Sequence, residues 1–147
     1  MAGTITDVLR NKGNAVYSVS PGATVYEAIE LMADKSVGAL VVVWNEALVG
    51  IISERDYARK VILQGKSSKE THVEEVMTPS PFAVTPGHTV EQCMQLMTER
   101  RIRHLPVLDG ERLAGMISIG DLVKAIISEQ AETIEHLHTY IVAKYPA

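Results

Sequence analysis

Apolar positions along the chain switch between a helical period and a strand period, and the switch happens twice. Val25, Ala28, Ile29 and Met32 recur at helical spacing behind Thr24, and Pro21-Gly22 interrupts the short extended stretch 17–20 before it. The period then shortens. Residues 39–44 form a β-branched run, 48–52 form a second, and Asn45-Glu46 falls between them, which predicts a hairpin. Further on, 105–108 and 113–117 flank Asp109-Gly110, a strong hairpin signal, while Pro106 restricts its strand to an edge or an irregular pairing. Helices are predicted to start at Ser53 and Ser118. The second runs far beyond the first, with Leu122, Ala125, Ile126, Ile134, Leu137 and Ile141 near helical spacing, and is expected to dock on the body or on a second subunit.

These patterns are one unit repeated. An offset of 65 places Pro21 on Pro86, Gly22 on Gly87, Thr24 on Thr89, Leu31 on Leu96, Met32 on Met97, Gly50 on Gly115, Ser53 on Ser118 and Asp56 on Asp121. A weaker match at an offset of 67 sets 4–9 against 71–76, so two extra residues are expected in the first copy around 12–15. The repeats divide as 1–66 and 67–130, joined near the polar stretch 65–69, with a helical extension over 131–147. A unit of this size buries too little surface to be stable alone. The predicted fold class is therefore α/β, two βαββα repeats packed as a pseudo-twofold pair, sheet against sheet, with clefts where the copies meet.

Composition narrows the partners. Eighteen Asp and Glu against fourteen Lys and Arg give a net charge of −4, which argues against a general nucleic-acid binder. Neither a signal peptide nor a run long enough to span a bilayer stands out, so no membrane partner is expected. The lone Cys93 excludes an internal disulfide framework. The expected setting is reducing and cytoplasmic.

The motif that carries chemistry is Gly50-Ile51-Ile52-Ser53-Glu54-Arg55-Asp56, repeated as Gly115-Met116-Ile117-Ser118-Ile119-Gly120-Asp121. Ser-x-x-Asp before a helix is also a capping box that satisfies free backbone donors. Thr24 to Glu27 and Thr89 to Gln92 read as plain caps. The two Ser-x-x-Asp segments differ because each leaves a strand through glycine at the same place in its copy. There the N–H groups of a helix start favour a phosphate, a serine adds a donor, and an aspartate one turn in can accept from the vicinal hydroxyls of a ribose.

With these residues the chain resembles a pair of cystathionine β-synthase (CBS) domains, a Bateman module, over roughly residues 4–130. It is similar in particular to stand-alone CBS-pair proteins, including a plant mitochondrial type, at 53–57, 58–61, 64–68 and 101–107. The resemblance implies binding of AMP, ADP, ATP, NAD or S-adenosylmethionine between the copies. It assigns ribose to Asp56 and Asp121, and ribose or phosphate to Ser53 and Ser118. Adenine would lie against Val19 or Leu40 in one copy and Val84 or Leu105 in the other. It further implies a homodimer and a regulated effector protein. No mitochondrial leader and no fused catalytic domain are expected.

Basic residues refine the ligand. Arg103 and His104 stand where the first copy has Gly38 and Ala39, and Arg55 stands where the second has Gly120. The resemblance makes Arg103 and His104 phosphate contacts; their alternative is a solvated edge. Arg55 opposes the helix dipole unless an anion is near. Together they favour AMP, ADP or a dinucleotide over the cationic S-adenosylmethionine. His136 and His138 leave a helix on different faces, and no metal is expected. Cys93 reads as a buried small residue. No nucleophile has a base beside it, so an enzyme is not expected. The alternative function is a ligand-free interaction or dimerisation module, possible control of a thioredoxin-like partner included.

Overall fold

The computed structural model describes residues 2–13 and 15–144. Helix α1 (Ile5–Lys12) leads to β1 (Ser18–Val19), α2 (Val25–Lys35), β2 (Ala39–Trp44), β3 (Ala47–Ser53) and α3 (Glu54–Tyr57), which continues as a π-helical turn (Ala58–Ile62). Then follow α4 (Val73–Val76), β4 (Thr78–Pro79), α5 (Val90–Arg100), β5 (His104–Asp109), β6 (Arg112–Ser118) and α6 (Ile119–Lys144). The fold is α/β, and helix, hairpin and closing helix recur in each copy as predicted.

Local chemistry accounts for the elements. Thr24 and Thr89 cap α2 and α5, accepting from the N–H groups of Glu27 at 3.1 Å and Gln92 at 3.0 Å. Asn45 and Glu46 both take positive φ, 51° and 64°, as the tight turn between β2 and β3 requires. In the second hairpin Asp109 still pairs with Arg112, so the turn is Gly110-Glu111, one residue later than predicted. The Pro106 carbonyl accepts from Val84 N–H at 3.0 Å, and Leu108 N–H donates to Val84 at 2.8 Å. The proline nitrogen, which has no proton to give, thus faces the side where β5 makes only an isolated bridge.

The two hydrophobic cores exchange their leading helices. Ile5, Val8 and Leu9 of α1 pack with Val90, Cys93, Met97, Leu105, Ile117 and Leu122 of the second repeat. In return Val73 and Val76 of α4 pack with Val25, Ala28, Met32, Leu40 and Ile52 of the first. Backbone bonds repeat the exchange: Ile5 N–H donates to His88 and Thr6 N–H to Pro86, as Val73 N–H donates to Ala23 and Glu74 N–H to Pro21. Repetition divides the chain near residue 66; packing divides it so that each core needs both halves.

The same bonds correct the predicted register. Thr4 and His72 are equivalent caps, Ile5 and Val73 equivalent buried residues, and Asp7 and Glu75 equivalent capping carboxylates. The offset of the leading helices is therefore 68 rather than 67, since the structural equivalent of Thr4 is His72 and not the identical Thr71. Against the offset of 65 that follows, the first copy carries three extra residues, not two. They extend α1 to Lys12, where the other copy ends α4 at Val76 and turns into β4. Asn14, within the stretch predicted to hold the insertion, lies outside the described residues.

The first sheet has the order β1-β2-β3-β4, and β5 pairs with β6. β3 and β6 touch across the middle of the molecule. Helix α6 buries Leu122 and packs Ala125 and Ile126 against the second core. Ile119, Val123, Ile127, Ile134 and Leu137 along it remain exposed. The side chains of His136 and Ile141 lie outside the described ones, as do residues 145–147 of the expected extension.

Candidate functional site

A cleft of about 620 Å³ opens where the copies meet, between the first Ser-x-x-Asp segment and the start of β5. Ser53, Arg55 and Asp56 line it from the first repeat, and Arg103 and His104 from the second. Two more guanidinium groups join them, Arg59 and Arg101. Four arginines against Glu54 and Asp56 make this a basic cleft on an acidic protein. Such groups bind phosphate oxygens through paired N–H donors.

Each basic residue is placed by its backbone. Arg101 occupies the left-handed position (φ 54°) that ends α5, just before β5. Arg55 Nη1 donates to the Arg101 carbonyl at 3.4 Å, linking the two repeats. Arg59 follows Arg55 by one turn, a spacing that puts both on one side of the helix and that shows in the sequence. Arg100, next to Arg101, instead lies over the Phe82 ring at 4.1 Å. His104 packs against Gly38, with ring atoms 3.6 Å from where a β carbon would stand on that glycine. Burial pushes the His104 pKa down; Lys12 and Arg103 push the same way, and Asp121 opposes them.

Both Ser-x-x-Asp segments are capping boxes. Ser53 N–H donates to Asp56 Oδ2 at 2.9 Å, and Asp56 N–H donates back to Ser53 Oγ at 3.2 Å. Ser118 and Asp121 repeat this at 2.8 and 3.2 Å. The next amides are engaged too: Glu54 N–H donates to the Gly38 carbonyl at 3.0 Å and Ile119 N–H to that of Arg103 at 2.9 Å. The backbone donors predicted to meet a phosphate are thus largely satisfied within the protein. The cationic side chains that line the cleft are those of the arginines and, when protonated, His104.

The carboxylates also hold lysines. Lys60 Nζ lies 3.1 Å from Asp56 Oδ1, one turn along the same helix, and also donates to the Val76 carbonyl of the exchanged α4. Asp121 Oδ2 receives Lys12 Nζ at 2.7 Å. Burial raises the Asp121 pKa, but the Lys12 and Ser118 bonds outweigh it and hold the group below its ordinary value. Asp121 faces a separate groove between α1 and α6, with Asp7, Lys12, Lys124 and Glu132. The two aspartates therefore do not share one cleft.

The apolar residues proposed for adenine lie elsewhere. Leu40 and Leu105 are fully buried in the two cores, and Val84 is 1% exposed. Val19 packs against the first core. Strand alternation turns these side chains inward. Ile51 and Ile102 are the apolar residues that line the cleft, with Gly38 and Thr78 beside them. Ser118 lines neither cleft nor groove. Among the described residues no cluster of His, Cys, Asp and Glu is arranged to hold a metal ion, and no helix is long and apolar enough to cross a membrane.

The CBS domain family matches residues 4–62 and again 73–128. The chain belongs to the CBS domain family, as a tandem pair. It is 45% identical to the CBS domain-containing protein CBSX3, mitochondrial, of Arabidopsis thaliana, over 97% of this chain and 73% of that one. A solved protein with CBS domains from Burkholderia ambifaria MC40-6 is 52% identical, with a TM-score of 0.83 over 86% of this chain and 96% of that one. CBSX2, solved in complex with AMP, is 28% identical, with a TM-score of 0.70 over 87% and 98% of the two chains.

Proposed function

We propose that this CBS pair is a regulatory module that binds an adenine nucleotide in the cleft between its repeats and signals the bound state to a partner protein. The observation that carries the reading is the convergence of Arg55, Arg59, Arg101, Arg103 and His104 on one cleft beside Asp56. The guanidinium groups neutralise phosphate, Asp56 takes the ribose hydroxyls, and Ile51 and Ile102 offer apolar contact to the base. The complex of CBSX2 with AMP supports an adenine ligand. Charge favours AMP, ADP, ATP or NAD over a cationic nucleoside.

A ligand touching Arg55 and Arg103 bridges two bodies that already exchange helices. It shifts their relative arrangement by its differential affinity for the alternative states. The exposed apolar stripe of α6, from Ile119 to Leu137, suits contact with a second copy, and a homodimer is the proposed assembly. The module binds and does not turn its ligand over. A cytoplasmic, reducing setting suits its one buried thiol.

A thermal-shift panel of AMP, ADP, ATP, NAD and GMP on ligand-stripped protein tests this. A site saturated at 100 times its dissociation constant contributes about 2.7 kcal/mol, a rise of about 5 to 11 °C. A shift with an adenine nucleotide and none with GMP is expected. No shift with any of them leaves a ligand-free interaction module, whose motifs act as helix caps.

A further inference from the structure

The cleft beside Asp56 gathers more positive charge than the protein itself uses. Arg55 and Arg59 line it from the first repeat, Arg101 and Arg103 from the second. Among the described residues, no carboxylate is ion-paired with any of the four. Asp56 is taken by Lys60, and Arg55 donates to the Arg101 carbonyl. The exposed Arg10 and Arg112, by contrast, each meet an aspartate three residues away, at 3.6 and 3.8 Å.

The repeat shows that the fold does not require these cations. At the offset of 65 the counterparts of Arg55, Arg59, Arg101, Arg103 and His104 are Gly120, Lys124, Ser36, Gly38 and Ala39. The capping boxes and hairpins form equally well with them. Ser36 and Arg101 even share the left-handed turn, at φ 55° and 54°. That conformation suits glycine or asparagine, so nothing in the backbone asks for arginine there.

A phosphate monoester offers three free oxygens and carries about −1.5 to −2 charges at neutral pH. One guanidinium group can engage two oxygens at once. Two arginines, one from each repeat, therefore satisfy a monophosphate, and four call for the oxygens of a second phosphate. Resting on the nucleotide reading above, we propose that the cleft takes an adenosine diphosphate group, free as in ADP or carried within a dinucleotide, and that AMP fills it in part. Arg55 and Arg103 hold the phosphate next to the ribose on Asp56. Arg59 and Arg101 hold the second phosphate and set the preference for it.

Calorimetric titration of the full chain with AMP, ADP, NAD and GDP, without divalent cations, tests this in the wild type and in the double variant Arg59→Gln, Arg101→Gln. Both side chains belong to exposed residues, and glutamine keeps the carbonyl to which Arg55 donates. The wild type is expected to bind ADP about 10-fold or more tightly than AMP. In the double variant the two affinities are expected to become nearly equal, with that for AMP little changed. AMP binding as tightly as ADP to the wild type overturns the diphosphate and leaves the adenine reading standing. A preference that survives in the variant overturns the role of Arg59 and Arg101. GDP binding as tightly as ADP upholds the diphosphate and overturns the adenine. NAD binding at least as tightly as ADP upholds the proposal with a dinucleotide as the source; NAD binding no better than AMP upholds it with a terminal phosphate. No binding of any of the four overturns both readings.

Discussion

Leu9 Cδ2 lies 2.8 Å from the point a β carbon on Gly115 would occupy. The glycine that opens the second motif is thus the floor on which the exchanged helix α1 rests. Gly50 faces Met77 in the same way across the first core. A methyl group at Gly115 must push Leu9 out of a packed core, and overpacking of this kind costs about 1–3 kcal/mol. Gly115→Ala is expected to lower the unfolding free energy by that amount, read as a fall in the urea midpoint at unchanged slope. An unchanged midpoint shows that α1 is not held there.

Asp121 links acid stability to the same helix. Its folded pKa is depressed, so its contribution is fully present above the unfolded value and is lost as pH falls through the folded one. Lys12→Met removes part of that depression. The wild type is expected to be more stable than Lys12→Met at pH 7, with the difference shrinking as the solution is acidified below about pH 4. Urea midpoints at both pH values measure it; a constant difference shows that the ion pair contributes nothing.

Much of the fold is legible in the sequence because repetition and period carry it. The hairpins, the caps at Thr24 and Thr89 and the length of α6 all follow from local chemistry. The exchange of α1 and α4 does not. Ile5, Val8 and Leu9 announce an apolar face, but nothing local says which core receives it, and the Thr4 to Thr71 identity points to the wrong register. Of the candidate site, Arg55, Asp56, Arg103 and His104 line one cleft, and their roles toward a ligand belong to the proposal. Leu40, Val84 and Leu105 stand on apolar extended segments, where the sequence alone does not say which face meets a cleft, and backbone alternation sends them to the cores. Arg59 also lines the cleft, and its spacing of four from Arg55 is the sequence signal that points to it.

If the cleft takes a nucleotide as proposed, His104 is expected to make its affinity depend on pH. Burial, Lys12 and Arg103 lower its pKa in the free protein against the opposing pull of Asp121, and a bound phosphate favours the charged ring. AMP is expected to bind more tightly as pH falls from 8 to 6. His104→Asn should flatten that rise; the phosphate's own ionisation is common to both proteins. Titrations at three pH values compare them, and equal slopes exclude the ring from the site.

Cys93 is fully buried in the second core, and burial pushes its thiol up to about 11. The thiolate is the reactive form. Ellman's reagent is expected to leave the native protein unmodified and to label one thiol per chain in denaturant. Rapid labelling of the native protein means that the α1–α5 core opens readily.

Arg103 carries the central claim most directly, because it reaches the cleft from the second repeat while Asp56 reaches it from the first. A hydrogen bond to a charged group contributes about 1.5–3 kcal/mol, or about 10- to 150-fold in affinity. The deciding measurement is the AMP dissociation constant of Arg103→Ala beside that of the wild type. A loss within that range is the predicted result. An unchanged AMP affinity contradicts a phosphate site between the repeats.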